Sequence, residues 1–308
     1  MSSSPLTIII PGGDGYLGRH LSDYFAGNGH NVIVLSRRPR ESRGAICYAQ
    51  WDGKTIGPWA EMLNGADAVV NLAGRSVNCR YTKANRHEIY SSRLDSTRLI
   101  GQAIAAANDP PKVWLNSSSA TIYRHALDRP MDESTGEFGS DFSVDVCQKW
   151  EQTLADAPAP RTRKVAMRTA MVFGPGHGGV FEAFYNIVRL GLGGTLGRGD
   201  QMVSWIHLLD FCCAVQWLIE HEQLSGAVNV CAPHPIPNRD FMRIFRQVCH
   251  KRIGLPAARW LLEIGAVFLR TETELLLKSR WVLPARLLAS GFEFKFPVFR
   301  NALENIVG

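Results

Sequence analysis

The chain has 308 residues, of which 45% are hydrophobic and 20% charged, with a formal net charge of +6. That length buries a full sheet-based core plus a smaller lobe, and the ordinary composition excludes disordered and fibrous classes. No run approaches the ~18 consecutive apolar residues of a membrane span. Met1–Leu6 lacks the basic stretch that opens a signal peptide, so a cytoplasmic location with no membrane partner is expected. The positive charge is spread along the chain and fits a phosphorylated small ligand better than nucleic acid. Cys47, Cys79, Cys147, Cys212, Cys213, Cys231 and Cys249 show no C-x-x-C spacing, which reads as reduced thiols and no metal site.

Along the first half, β-rich runs alternate with amphipathic stretches, the pattern of a parallel sheet covered on both faces. Strands are predicted at Thr7–Ile10, Asn31–Ser36, Ala68–Leu72, Val113–Asn116 and Val165–Arg168, with helices at Gly18–Gly27, Ser92–Ala107 and Phe142–Ala155. Leu99, Ala103 and Ala106 give the second helix a buried stripe, and Asp109 with two prolines stops it. The second half is less regular. Gly174–Gly179 and Gly191–Gly199 are glycine-rich loops, a helix runs from Asp210 to about His221 with Asp210 as its N-cap, and Ala227–Val230 is a further strand. After Pro233–Pro237 the chain is mainly helical, ending in a helix at Pro284 and a strand-like Phe292–Phe296. The expected fold class is α/β, a Rossmann-type doubly wound parallel sheet with a second, smaller, mainly helical lobe. Residues 1–175 and 203–232 form the dinucleotide-binding domain, and 176–202 and 233–308 the smaller lobe that takes substrate.

Gly12, Gly13, Gly15, Tyr16, Leu17 and Gly18 follow the first strand and open the first helix, with Gly12, Gly15 and Gly18 in G-x-x-G-x-x-G spacing. Such a turn lets backbone N–H groups approach a pyrophosphate at a helix N-terminus. At the end of the next strand an NAD-selective fold places a carboxylate for the ribose 2′-hydroxyl. This chain has Ser36, Arg37 and Arg38 there, guanidinium groups suited to a 2′-phosphate, so the cofactor expected is NADP(H). Asp14 puts a carboxylate inside the phosphate loop and is expected to point away or cap the helix start.

With Asn71–Gly74 closing one strand and Asn116–Tyr123 following another, the chain resembles the extended short-chain dehydrogenases/reductases. More narrowly, it resembles their atypical branch filed with nucleoside-diphosphate-sugar epimerases, which carries an extra C-terminal domain. The resemblance runs over nearly the whole chain, through Arg80–Thr82, Ser92 and Arg93, Trp150 and Glu151, Arg168–Gly174, Gly191–Gly194, Trp205–Asp210, Leu276–Pro284, Gly291 and Phe292. It implies that Leu72, Ala73 and Gly74 line the adenosine side and Trp51 with Asp52 the adenine. It also implies that Ser117, Ser118 and Ser119 sit near the nicotinamide ribose, and Arg168 to Ala170 beside the nicotinamide.

Active members of that superfamily place a Tyr and a Lys four residues apart on one helix face, and the lysine lowers the tyrosine pKa. Counted back from Trp150 and Glu151, the equivalent places hold Ser143 and Cys147, and Lys149 faces the other way. Ser119 is the best-placed hydroxyl for a substrate carbonyl, or else a ligand of the nicotinamide ribose. Arg80, Tyr123, Cys147, Trp205 and His207 are the further candidates for the substrate pocket, each with a structural role as the alternative: packing for Tyr123, an inert thiol for Cys147. The functions to weigh are an NADP(H)-dependent oxidoreductase with a non-standard proton donor, a non-catalytic NADP(H)-dependent redox sensor or regulator, and a nucleotide-sugar epimerase. No metal is expected.

Overall fold

β1 (Thr7–Pro11) buries Ile8, Ile9 and Ile10 completely, so both faces of this strand must be covered. A computed structural model, which describes residues 4–256 and 277–308, shows how. β1 lies inside a seven-stranded sheet with β2 (Asn31–Ser36), β3 (Ile46–Gln50), β4 (Ala68–Asn71), β5 (Val113–Ser119), β6 (Arg163–Thr169) and, further along the chain, Gly226–Val230. Every pairing in it is parallel. From one edge the order is β3, β2, β1, β4, β5, β6, then the Gly226–Val230 strand, a Rossmann-type sheet.

Side chains two apart share a face. Ile8, Ile10, Val70, Val113 and Leu115 therefore enter one core, under α1 (Tyr16–Gly27), while Ile9, Val69 and Trp114 enter the other, under α2 (Lys83–Ala106) and α3 (Phe142–Ala155). Each such fully buried side chain contributes about 1.5–3 kcal/mol. Thr82 caps α2, its side chain accepting from the Asn85 N–H at 3.3 Å, so the helix starts well before the Ser92 read from the sequence. Its buried face carries Thr97, Leu99, Ile100, Ala103 and Ile104; Ala106 is exposed, contrary to the expected stripe. β3 was not among the predicted strands, because its pattern is weak: Cys47 and Gln50 are exposed on an edge strand.

Beyond β6, the helix Leu208–Glu220 packs into the core of the main sheet and the strand Gly226–Val230 joins it, while the segment ahead of them pairs elsewhere. β7 (Met171–Phe173) pairs with Trp205–His207, and Met202–Val203 pairs with Ile236–Pro237, each in a two-stranded sheet outside the main one. These ribbons, with α4 (Val180–Arg189) and helices at Asn238–Val248 and Phe299–Val307, enclose a third core rich in phenylalanine. Phe173 lies 5.7 Å from Phe241, and Phe241 stacks on Phe299 at 4.7 Å. Trp205 is fully buried against Phe299, and its indole N–H donates to the His234 carbonyl at 3.1 Å. It is a core residue, not a pocket residue.

α5 (Leu208–Glu220) corrects two further expectations. Its N-cap is His207, whose Nδ1 accepts from the Leu209 N–H at 3.1 Å, and not Asp210. Asp210 sits buried in the first turn, where its carboxylate accepts from the backbone N–H groups of Lys295 (2.8 Å) and Phe296 (2.9 Å). Those groups therefore pair with a side chain rather than with a neighbouring strand, and Phe292–Phe296 runs as an irregular segment. Asp210→Ala would strand both N–H groups, a loss of about 1–3 kcal/mol seen as a lower melting temperature, with Asp210→Asn between the two. The buried His207 ring lies 4.1 Å from the Phe296 ring, and burial lowers its pKa to about 4. A ring neutral in the fold and protonated when unfolded near pH 6 makes the unfolded chain bind more protons. Unfolding free energy should therefore drop as pH falls from about 6.5 towards 4, and urea titrations on His207→Asn should flatten that dependence.

Candidate cofactor and active site

β1 ends beside β4, where the strand order reverses and open α/β sheets form a crevice at the carboxyl ends of their strands. The chain there is built so that nothing larger than glycine fits. Gly12 has a φ of +79°, and a Cβ on it would lie 2.8 Å from the Ala73 nitrogen. A Cβ on Gly13 would meet Val34 Cγ1 at 2.7 Å, and one on Gly18 would meet Gly13 Cα at 2.4 Å. The turn is thereby clamped between β2, the loop after β4 and α1. Gly15 is the N-cap of α1 and supplies no side-chain acceptor, which leaves the first-turn amides of Tyr16, Leu17 and Gly18 to an outside anion. Tyr16 otherwise serves as a wall. Its ring packs on Gly179, its hydroxyl donates to the Pro175 carbonyl at 3.0 Å, and burial raises its pKa to about 12.

At the end of β2, Ser36 is buried and its Oγ accepts from the Arg38 N–H at 3.1 Å, while Arg37 and Arg38 are exposed. Neither arginine has an ion-pair partner among the described residues. Asp14 corrects the sequence reading. It does not cap α1, but accepts from the Ser36 hydroxyl through Oδ2 and pairs with Arg40, whose Nε is 2.5 Å from Oδ1. Arg40 was missed, although it follows Arg37 and Arg38 by only a proline.

Trp51 and Asp52, to which the resemblance assigned adenine contacts, follow directly on β3. Trp51 is buried 5.7 Å from the Trp59 ring. Asp52 is exposed and accepts from the Thr55 and Lys54 N–H groups, which lowers its pKa to about 2. Leu72, Ala73 and Gly74 are partly exposed along the crevice. They are held by Leu72 N–H on the Pro11 carbonyl (2.9 Å) and by Ala73 N–H on Asn71 Oδ1 (3.0 Å).

Towards β5 and β6, the side chains read as nicotinamide contacts divide. Ser117 and Ser119 are half-buried on the strand end, and Ser119 Oγ accepts from the Thr121 N–H at 3.2 Å. Ser118 instead turns into the helical layer and donates to Glu151 at 2.6 Å. Arg168 is buried in a bidentate pair with the same carboxylate, Nε to Oε1 at 2.9 Å and one terminal N–H to Oε2 at 2.7 Å. It also donates to the Tyr123 hydroxyl at 2.9 Å, which in turn donates to Asn229 Oδ1 at 2.9 Å. Glu151 thus organises an internal network that the sequence reading did not see, because its partners come from β5, β6 and the loop after β5. Ala170 is half-buried beside it, its N–H donating to the Val230 carbonyl at 3.1 Å.

On α3, Ser143 lies 3.4 Å from the Tyr81 hydroxyl, and Cys147 is a buried thiol whose pKa burial pushes up to about 12. Arg80 is exposed on the adjoining loop. Lys278 adds a tie from the C-terminal segment, donating to Asp141 Oδ2 at 2.8 Å and to the Thr121 carbonyl at 2.9 Å. Burial also raises the pKa of Tyr123. Three of the substrate-pocket candidates, Cys147, Tyr123 and His207, are thus buried and uncharged near neutral pH. What remains is a binding surface of amides, hydroxyls and guanidinium groups.

Residues 8–231 match the family model described as the NAD dependent epimerase/dehydratase family, and residues 257–306 match a domain of unknown function (DUF1731). The chain is 33% identical over 307 residues to the human epimerase family protein SDR39U1, covering 98% of this chain and 100% of that protein. It is 30% identical over 305 residues to the Bacillus subtilis epimerase family protein YfhF, covering 98% of each. The crystal structure of human SDR39U1 (isoform2) with NADPH superposes with a TM-score of 0.87 at 31% identity, covering 98% of this chain and 99% of that one. The fold is thus shared with the human protein over nearly the whole of both chains. The chain belongs to the NAD dependent epimerase/dehydratase family.

Proposed function

We propose that this chain binds NADP(H) and acts as an oxidoreductase on a carbonyl or hydroxyl substrate, without the Tyr-x-x-x-Lys pair. The observation that carries the reading is the uncapped N-terminus of α1 behind a glycine turn, with exposed Arg37 and Arg38 at the end of β2. The turn fits a pyrophosphate because a Cβ at Gly12 or Gly18 would close it. The 31%-identical human protein crystallised with NADPH supports the cofactor assignment. When bound, the nicotinamide supplies hydride transfer, so this chain's part is to hold the cofactor and present a carbonyl. Leu72, Ala73 and Gly74 form the wall of the crevice, Ser117 and Ser119 offer hydroxyls at its far end, and Arg80 offers a cation to an anionic substrate.

A second reading, a non-catalytic NADP(H)-dependent sensor or regulator, is favoured by the protonated Cys147 thiol and by the Tyr123 hydroxyl locked between Arg168 and Asn229. An epimerase needs the proton transfer that these groups do not support. In titration calorimetry NADPH should bind more tightly than NADH. Arg37→Glu should weaken NADPH by about tenfold or more, the scale of one lost charge-assisted contact, and leave NADH little changed. Equal affinity of the wild type for both cofactors would remove the reading. A screen of sugars, quinones and aldehydes following NADPH absorbance separates the enzyme from the sensor. Turnover that drops by roughly 10²-fold in Ser119→Ala marks a hydroxyl acting on the substrate. Tight NADPH binding without oxidation across the screen marks the sensor.

A further inference from the structure

The 2′-position of a dinucleotide ribose lies at the end of the second strand of a Rossmann sheet, where NAD-selective folds place a carboxylate and NADP-binding folds place cations. In this chain that place holds both. Arg37 and Arg38 follow Ser36, the last residue of β2, and a carboxylate arrives from the phosphate loop: Asp14 Oδ2 accepts from the Ser36 hydroxyl. Its other oxygen faces Arg40 at 2.5 Å, yet that contact is an ion pair without hydrogen-bond alignment. Asp14 Oδ1 is therefore a buried acceptor with no hydrogen-bond donor among the described residues. Buried acceptors are almost always satisfied, and one left open at a ligand crevice points to a donor that the ligand brings.

We infer that Asp14 is a determinant of cofactor specificity, an internal counter-ion that accepts from the ribose 2′-hydroxyl of NAD(H) and must give up Ser36 and Arg40 to a 2′-phosphate. This rests on the glycine turn being the dinucleotide site. With NAD(H), Oδ1 gains the missing donor while Arg40 stays in its pair. With NADP(H), the phosphate and the carboxylate repel each other, so Asp14 turns out of the position and Arg40 joins Arg37 and Arg38 around the phosphate. The Asp14–Arg40 pair and the Ser36 contact are lost in that exchange. Binding of the phosphorylated cofactor is weakened by that loss, and its preference over the unphosphorylated one is narrower than three neighbouring arginines alone would set.

The test is calorimetric, on the full chain, with NADPH, NADH and two fragments that isolate the subsite, adenosine 2′,5′-bisphosphate and AMP. Asp14→Asn keeps the shape and removes the charge; Asp14→Thr is the second variant should the first lower the melting temperature. Both should bind NADPH and the bisphosphate about tenfold more tightly. NADH should bind several-fold more weakly, as expected for a donor that loses a charged acceptor. Arg40→Gln should cost little NADPH affinity in the wild type, where the pair must break anyway, and much more in Asp14→Asn, where it does not. An unchanged NADPH-to-NADH affinity ratio in the Asp14 variants, or additive effects of Asp14 and Arg40, would overturn the inference and leave the cofactor site intact. Wild type and variants that all ignore both dinucleotides would overturn the underlying site reading instead.

Discussion

The structure depends on one close approach. The Gly18 Cα side of α1 presses against Gly13 so tightly that a single methyl group would collide with backbone at 2.4 Å. That contact fixes where a helix N-terminus meets a strand end, and with it the direction of the helix dipole. The adjoining contact of Gly12 with the loop after β4 joins the two sides of the reversal in strand order. A crevice for an anionic ligand follows from backbone packing before any side chain is considered, and Gly15 completes it by leaving the helix without a cap. Side chains then set selectivity at its two ends.

Those ends are built differently. At the β2 end, charged groups sit partly in solvent: Arg37 and Arg38 are exposed and the Asp14–Arg40 pair is half-buried, so electrostatic preferences there can be retuned by single substitutions. At the β5–β6 end, charge is interior. Arg168 and Glu151 form a bidentate pair from which water is largely excluded, and Tyr123, Ser118 and Asn229 complete its hydrogen bonds. Removing one member would leave a buried charge uncompensated, the costly case. The pair orders the strand ends and the helix that carries Ser143 and Cys147, and it consumes polar groups that would otherwise line a reaction site. The crevice keeps the fold of the family, while Glu151 and Arg168 tie up the polar side chains beside it.

The C-terminal segment is tied to this framework by specific polar contacts. Asp210 binds the Lys295 and Phe296 amides, Ser204 Oγ donates to the Arg280 carbonyl at 2.8 Å, and Lys278 spans Asp141 and Thr121. Of these, the Lys278 contacts bring the C-terminal segment to the turn that follows β5. The third core, with its interlocked Phe173, Phe241 and Phe299 rings, makes the same connection in apolar terms.

By itself, the sequence determined the parts governed by local chemistry. The continuous apolar runs Ile8–Ile10 and Val113–Leu115, the Gly12–Gly18 spacing and the arginines after Ser36 each act within a few residues, and they sufficed for the sheet, the turn and the sign of the charge beyond it. All of α3 and all of β2 were legible for the same reason. Tertiary structure alone decided which polar groups meet. An aspartate in a glycine loop gives no local sign that it will reach Ser36 and Arg40, and an aspartate ahead of an apolar run looks like a cap until a distant segment brings amides to it. Trp205 and His207 looked available because a sequence cannot show that Phe299 and Phe296 cover them. Short-range periodicity fixes which face a side chain takes; long-range packing fixes what waits on that face.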